Sequence, residues 1–158
     1  MDRFPHSFQL QDQDHLSTNI CKRVQRTLQA DIEAGHPTPL ETARALNLMA
    51  YLHFKLARPR EALEQTEKAL LQKGEERNVV SLSNRVAILW LTGDHLRAKE
   101  RVRYLENLRN EDDFDYLVVK AKAELAFSYA CLGGNVSSKA VSIFTEVIAE
   151  AREPEVWL

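Results

Sequence analysis

Residues 97–109 concentrate Arg97, Lys99, Arg101, Arg103 and Arg109 around Tyr104. Guanidinium and ammonium groups at that density can line a phosphate-binding groove, with the tyrosine ring as a face for a base to stack on. The commoner meaning of such a run is a solvated outer helix face, and Glu100 and Glu106 interleave as that reading requires. Lys22, Arg23 and Arg26 form a smaller basic cluster with the same two meanings, nucleic-acid contact or solvated surface. Other reactive sets do not assemble. His6, His15, His36, His53 and His95 lack the paired helical spacing of a metal site, so no metal and no cofactor are expected. Cys131 has no histidine or asparagine partner fixed by spacing, and no acid/base pair or phosphate loop occurs, so no catalytic residue is assigned. The acidic run Glu111, Asp112, Asp113 and Asp115 suits the positive end of a helix dipole without any catalytic role. Trp90 and Trp157 read as packing residues.

Composition narrows the partners. The chain has 158 residues, 44% hydrophobic and 28% charged, which is the balance of one folded domain. A formal charge of -2 argues against a general DNA-binding footprint, though a local basic groove fits inside a neutral total. Cys21 and Cys131 stand too far from any second cysteine for a zinc motif or disulfide framework. No stretch approaches the ~18 apolar residues of a membrane span. These features together predict a cytoplasmic protein.

The positions of the apolar residues supply the elements. Residues 1–11 read as a short arm or a single helical turn laid on the first helix. Leu16, Ile20, Val24, Leu28 and Ile32 recur every four residues and predict helix 1 from Asp14 to about Glu33. Gly35-His36-Pro37 should stop it, with the glycine as a left-handed cap. Thr38-Pro39-Leu40-Glu41 has the order of a capping box with proline at the first helical position, and helix 2 should run from there to about Leu56. Helix 3 is expected near 59–72 and closed by Gly74. Thr92-Gly93-Asp94 separates helices 4 and 5, helix 6 spans about Asp112 to Leu132, and helix 7 lies near 137–151. The short links make antiparallel hairpins.

The hairpins share one punctuation. Ala50 precedes the turn Ala57-Arg58-Pro59 and then Ala62; Gly93 precedes Ala98; Gly133-Gly134 precedes Ala140. The alanines lie 36 and then 42 residues apart, against ~34 in tetratricopeptide repeats. A small side chain there lets two helix backbones approach closely. The pattern predicts an all-α tetratricopeptide-repeat solenoid segment of about seven helices, occupying 12–158, with repeats at 40–73, 76–110 and 113–151. Glu155-Val156-Trp157-Leu158 looks like the opening of another helix rather than a polar cap, which suggests truncation at the C-terminus.

Leu46-Asn47-Leu48-Met49-Ala50-Tyr51-Leu52, followed by Arg60-Glu61-Ala62-Leu63-Glu64, resembles the first repeat of the interferon-induced proteins with tetratricopeptide repeats. His6-Ser7-Phe8-Gln9-Leu10 resembles that family's leader, and Gly133-Gly134 its glycine pair. The resemblance implies a cytosolic antiviral protein of innate immunity, without catalytic activity, contributing part of a groove for the 5′ end of single-stranded RNA. It places Arg23 at a phosphate-contacting position and Phe127 at a stacking position, with Arg26 and Thr27 beside them. Thr27 stands where the family carries glutamine, Cys131 where it carries lysine and Ser137 where it carries tyrosine. The alternative is a protein-interaction scaffold or adaptor, or a self-associating one, without RNA. Asn47 and Asn84 lack the matching lysines of a carboxylate clamp, which argues against a C-terminal peptide tail as its ligand.

Overall fold

The computed structural model describes residues 4–12, 16–133 and 137–151. They form seven α-helices and one 3-10 segment, with no strand among them. Helix α1 spans Thr18–Ala34, α2 Pro39–Lys55, α3 Pro59–Leu70, α4 Val79–Leu91, α5 His95–Leu108, α6 Phe114–Leu132 and α7 Ser137–Ala151. The 3-10 segment is Ser7–Asp12. Residues 152–158, with Trp157, lie outside the described part, as does Gly134.

Two kinds of helix follow from two kinds of sequence. In α2, every residue from Ala43 to Leu52 except Arg44 is buried, and in α4 every residue from Val79 to Leu89 except Arg85. Helices apolar on all sides must lie inside. Helices α1, α3 and α5 each bury one narrow stripe: Cys21, Val24 and Leu28; Ala62, Thr66 and Ala69; Ala98, Leu105 and Leu108. They form the outside. The hairpins α2/α3, α4/α5 and α6/α7 supply the main packing, and each of the inner helices α2, α4 and α6 also touches the other two. Ala50, Ala62 and Ala98 are fully buried and Ala140 nearly so.

The N-terminal segment reaches further than expected. Phe8 and Leu10 share a core cluster with Cys21, Val24 and Leu28 of the first helix, and beyond that expected neighbour the segment also seats against α2, α4 and α6. Leu10 is fully buried and Phe8 nearly so, and the Phe8 ring meets Tyr51 and Phe54 edge to face at 5.7 and 5.1 Å. The Tyr51 hydroxyl donates to the Leu10 carbonyl at 3.1 Å. These residues are part of the core.

The helix ends sort into agreements and corrections. Thr38 and Glu41 form the reciprocal capping box, and Pro39 opens α2. Asp94 caps α5 by accepting from Arg97 N–H at 3.3 Å. Helix α1 begins at Thr18, later than its apolar stripe suggests, because Ser17 accepts from Ile20 N–H at 3.2 Å and caps it there. Helix α6 likewise begins at Phe114. Gly35 is not left-handed; its φ is -87°. Glycine is needed there for space, since a Cβ would stand 2.8 Å from the Asp31 carbonyl oxygen. Among the described residues the left-handed positions are Gly74, Gly93, Gly133 and, without being glycine, Ala57 at φ 58°.

Candidate nucleic-acid interface

On α5, Lys99, Val102, Arg103 and Glu106 are spaced i, i+3, i+4 and i+7, so they share one helix face. That face looks onto α4. Val86, Trp90, Lys99, Val102 and Arg103 line a cavity of about 530 Å³, and a second cavity of about 360 Å³ adjoins it through the shared Val86 and Val102. The second is walled by Phe4, His6, Ser83, Leu105 and Glu106. Both lie within the range of ~300–1,000 Å³ typical of ligand sites. The two form one groove, basic at one end and aromatic and polar at the other.

The charges around the groove are unevenly neutralised. Arg97 pairs with Asp94 at 3.2 Å, its own helix cap, and is held at the turn. Lys99, Arg101, Arg103 and Arg109 are exposed and make no ion pair among the described residues. Glu100 and Glu106 make none either, so the interleaved acids do not cap these cations directly. Glu111 and Asp113, read from the sequence as helix-dipole partners, stand at the start of α6 and also grip Arg77 ahead of α4, with Asp113 at 2.8 Å. The Arg77 hydrogen bond holds the Asp113 carboxyl below the usual carboxylate range.

Trp90, read from the sequence as a packing residue, keeps one ring contact and stands on the rim of the groove. It is 43% exposed and stacks on the His95 imidazole, centroids 4.5 Å apart. Its place in the last turn of α4, just before Gly93, is the signal: a helix ending in a solvent-facing turn leaves its last large side chains, Trp90 and Leu91, on the rim. Tyr104, the expected stacking face, is 45% exposed but does not line the groove. Ser83 carried no sequence signal. It is buried, and its Oγ has no hydrogen-bond partner among the described residues although it lines the smaller cavity.

The positions implied by family resemblance lie elsewhere. Arg23 is exposed on α1 and makes no ion pair among the described residues. Arg26 turns back on its helix, donating from Nε to the Lys22 carbonyl at 3.3 Å, and Thr27 donates to the Arg23 carbonyl at 3.2 Å. Phe127 on α6 is half-buried and packs against the core cluster that includes Cys21, Val24 and Leu28 of α1. The fold thus joins Phe127 to α1 through shared core. Ser137 lies in α7. Burial pushes the Cys131 thiol up, and the Asp31 charge adds to that, so a thiolate is disfavoured there.

A buried polar network crosses the inner helices. Glu124 of α6 accepts from Asn47 Nδ2 at 2.6 Å and from Asn78 Nδ2 at 3.0 Å. Asn78 also donates to Glu75, and Lys120 pairs with Glu75 at 3.2 Å. Burial pushes the Glu124 carboxyl above its ordinary value, the asparagine hydrogen bonds oppose this, and the nearby Glu75 charge adds to it. Asn47 is therefore a structural residue of the core.

No family model, no curated protein and no solved structure matches the chain. No group of three or more potential metal ligands gathers among the described residues, and none of their helices is long and apolar enough to cross a membrane.

Proposed function

We propose that the chain is a non-catalytic RNA-binding protein built as a tetratricopeptide-repeat segment, of the kind represented by the interferon-induced antiviral proteins it resembles. The observation that carries this reading is the pair Lys99 and Arg103, exposed, without ion pairs among the described residues, and set on the wall of an apolar groove beside Trp90. Unpaired cations next to an exposed aromatic ring are what single-stranded RNA needs: charge for the backbone and a face for a base. Arg23, exposed on α1 and apart from the groove, is a second phosphate-contacting position that the family resemblance implies. The absence of an activated nucleophile or acid/base pair in the sequence supports the non-catalytic part. A cytoplasmic location belongs to the same reading. Filter binding with single-stranded RNA carrying a 5′-triphosphate tests it. Binding at low salt that weakens in Arg23→Ala and in Lys99→Ala/Arg103→Ala supports it; no measurable binding at low salt overturns it.

The alternative is a protein-interaction scaffold without RNA binding. One observation favours it: the faces of α2, α4 and α6 that meet one another already hold residues 4–12 as a ligand-like peptide, by side-chain hydrogen bonds and aromatic contacts. A protein partner recovered after nuclease treatment, with no RNA retained, selects that reading.

A further inference from the structure

We propose that the α4–α5 groove binds a single nucleoside phosphate whose base carries an exocyclic amine. The base would enter the smaller cavity and the phosphate would rest on Lys99 and Arg103. The inference deepens the RNA reading, on which its phosphate half rests, and adds a base-reading pocket.

The two halves of the groove match the two halves of a nucleotide. In the smaller cavity, Phe4, Val86 and Leu105 supply the apolar and aromatic surface that the faces of a base require. Three polar side chains, His6, Ser83 and Glu106, break that surface. Ser83 Oγ is buried, without a hydrogen-bond partner among the described residues, so it can both donate to a ring nitrogen and accept from an amine. Leaving such a hydroxyl unpaired costs stability, and a ligand atom that pairs with it recovers that cost. Glu106 lines the same cavity with a carboxylate. A carboxylate only accepts, so it favours guanine, adenine or cytosine, which present amine hydrogens, over uracil, whose single N3–H is flanked by two carbonyls that the carboxylate repels. At the other end, Lys99 and Arg103 stand one helical turn apart on the wall of the larger cavity, as phosphate donors. Trp90 lines that end beside them, an aromatic face on which the next base of a strand can stack.

A phosphorylated nucleoside arises from two sources, a free mononucleotide or an exposed nucleotide of an RNA strand, and one titration separates them. The full chain is titrated calorimetrically with GMP, AMP, UMP, guanosine and inorganic phosphate, and then with a 5′-phosphorylated single-stranded oligoribonucleotide. The expected result is binding of GMP or AMP at least about tenfold tighter than UMP or guanosine, the tenfold being one charge-assisted pair. Lys99→Ala/Arg103→Ala should weaken GMP about tenfold or more, and Ser83→Ala several-fold with a melting temperature unchanged or raised, since it removes a buried hydroxyl without a partner among the described residues. If Ser83→Ala lowers the melting temperature, Glu106→Gln on the surface carries the same test through a lost preference over UMP. An oligonucleotide that binds tighter than GMP and is displaced by it identifies RNA as the source; GMP binding without oligonucleotide binding identifies the free nucleotide. Absence of GMP and AMP binding at millimolar concentration overturns the inference, as does GMP affinity equal to that of UMP. RNA binding that survives Ser83→Ala and Glu106→Gln unchanged, in a chain that binds no mononucleotide, overturns this inference alone and leaves the RNA reading standing.

Discussion

Asn84 and Ser7, 77 residues apart, are joined by two hydrogen bonds: the Ser7 backbone N–H donates to Asn84 Oδ1 at 2.8 Å, and Asn84 Nδ2 donates to Ser7 Oγ at 3.0 Å. Both residues are fully buried. The pair fixes the N-terminal segment to α4, while Tyr51 and Phe8 fix it to α2. Asn84→Ala leaves a buried N–H and a hydroxyl without partners, and should destabilise the chain by about 2–3 kcal/mol. Urea denaturation measures the loss. Hydrogen exchange should accelerate first at residues 7–10, ahead of α2 and α4; a uniform acceleration would contradict the segment's separate anchoring.

Two helix turns make opposite predictions for glycine. Arg58 N–H donates to the His53 carbonyl around Ala57, and Asp94 N–H to the Leu89 carbonyl around Gly93, the same six-residue closure in both hairpins. Ala57 occupies a left-handed position that a Cβ disfavours by roughly 1–2 kcal/mol. Ala57→Gly should therefore stabilise the chain by about 1 kcal/mol, after the added freedom of the unfolded chain is subtracted. Gly93→Ala should destabilise it by about as much. Thermal melts of both variants check the pair, and a loss of stability in Ala57→Gly would contradict the shared cap geometry.

These turns show where the sequence was legible. Seven helices, their pairing into hairpins, the Thr38–Glu41 box and the Asp94 cap all rest on residues within a few positions of one another, and local order suffices to read them. The Gly35 cap was misassigned because the same glycine serves positive φ and close approach equally well, and only the Asp31 carbonyl distinguishes them. The seating of the N-terminal segment on α2 and α4 has no local signature, because its partners Tyr51 and Asn84 are distant in sequence. The Asn47–Glu124 contact also spans 77 residues and had no local signature. At the groove, the density of cations on α5 was visible, but which of them faces α4 was not, and Trp90 and Ser83 acquired meaning only once α4 and α5 were set side by side.

Stability should depend on pH in two opposing ways. Glu124 has its folded-state carboxyl raised above 4.5, so the folded state binds that proton more tightly than the unfolded chain does. Its contribution is full below 4.5 and is lost as pH rises through the folded-state value. Asp113 and Glu41 have lowered carboxyls, so their contributions are present above the ordinary carboxylate range and lost as pH falls. Glu124→Gln removes the first effect. The stability difference between Glu124→Gln and wild type should shift toward the variant as pH rises from 4.5 to 7, measured by urea denaturation across that range. A difference independent of pH would contradict the assigned burial of the charge.

The salt dependence of RNA binding tests the central claim most directly. Filter-binding affinities of wild type and Lys99→Ala/Arg103→Ala for single-stranded RNA are compared across a salt series. Each phosphate contact on a single strand contributes about 0.7 to the slope of log affinity against log salt, so the double variant should bind more weakly with a slope shallower by about 1.4. An unchanged slope and affinity in the double variant, or no wild-type binding at the lowest salt, would contradict the account.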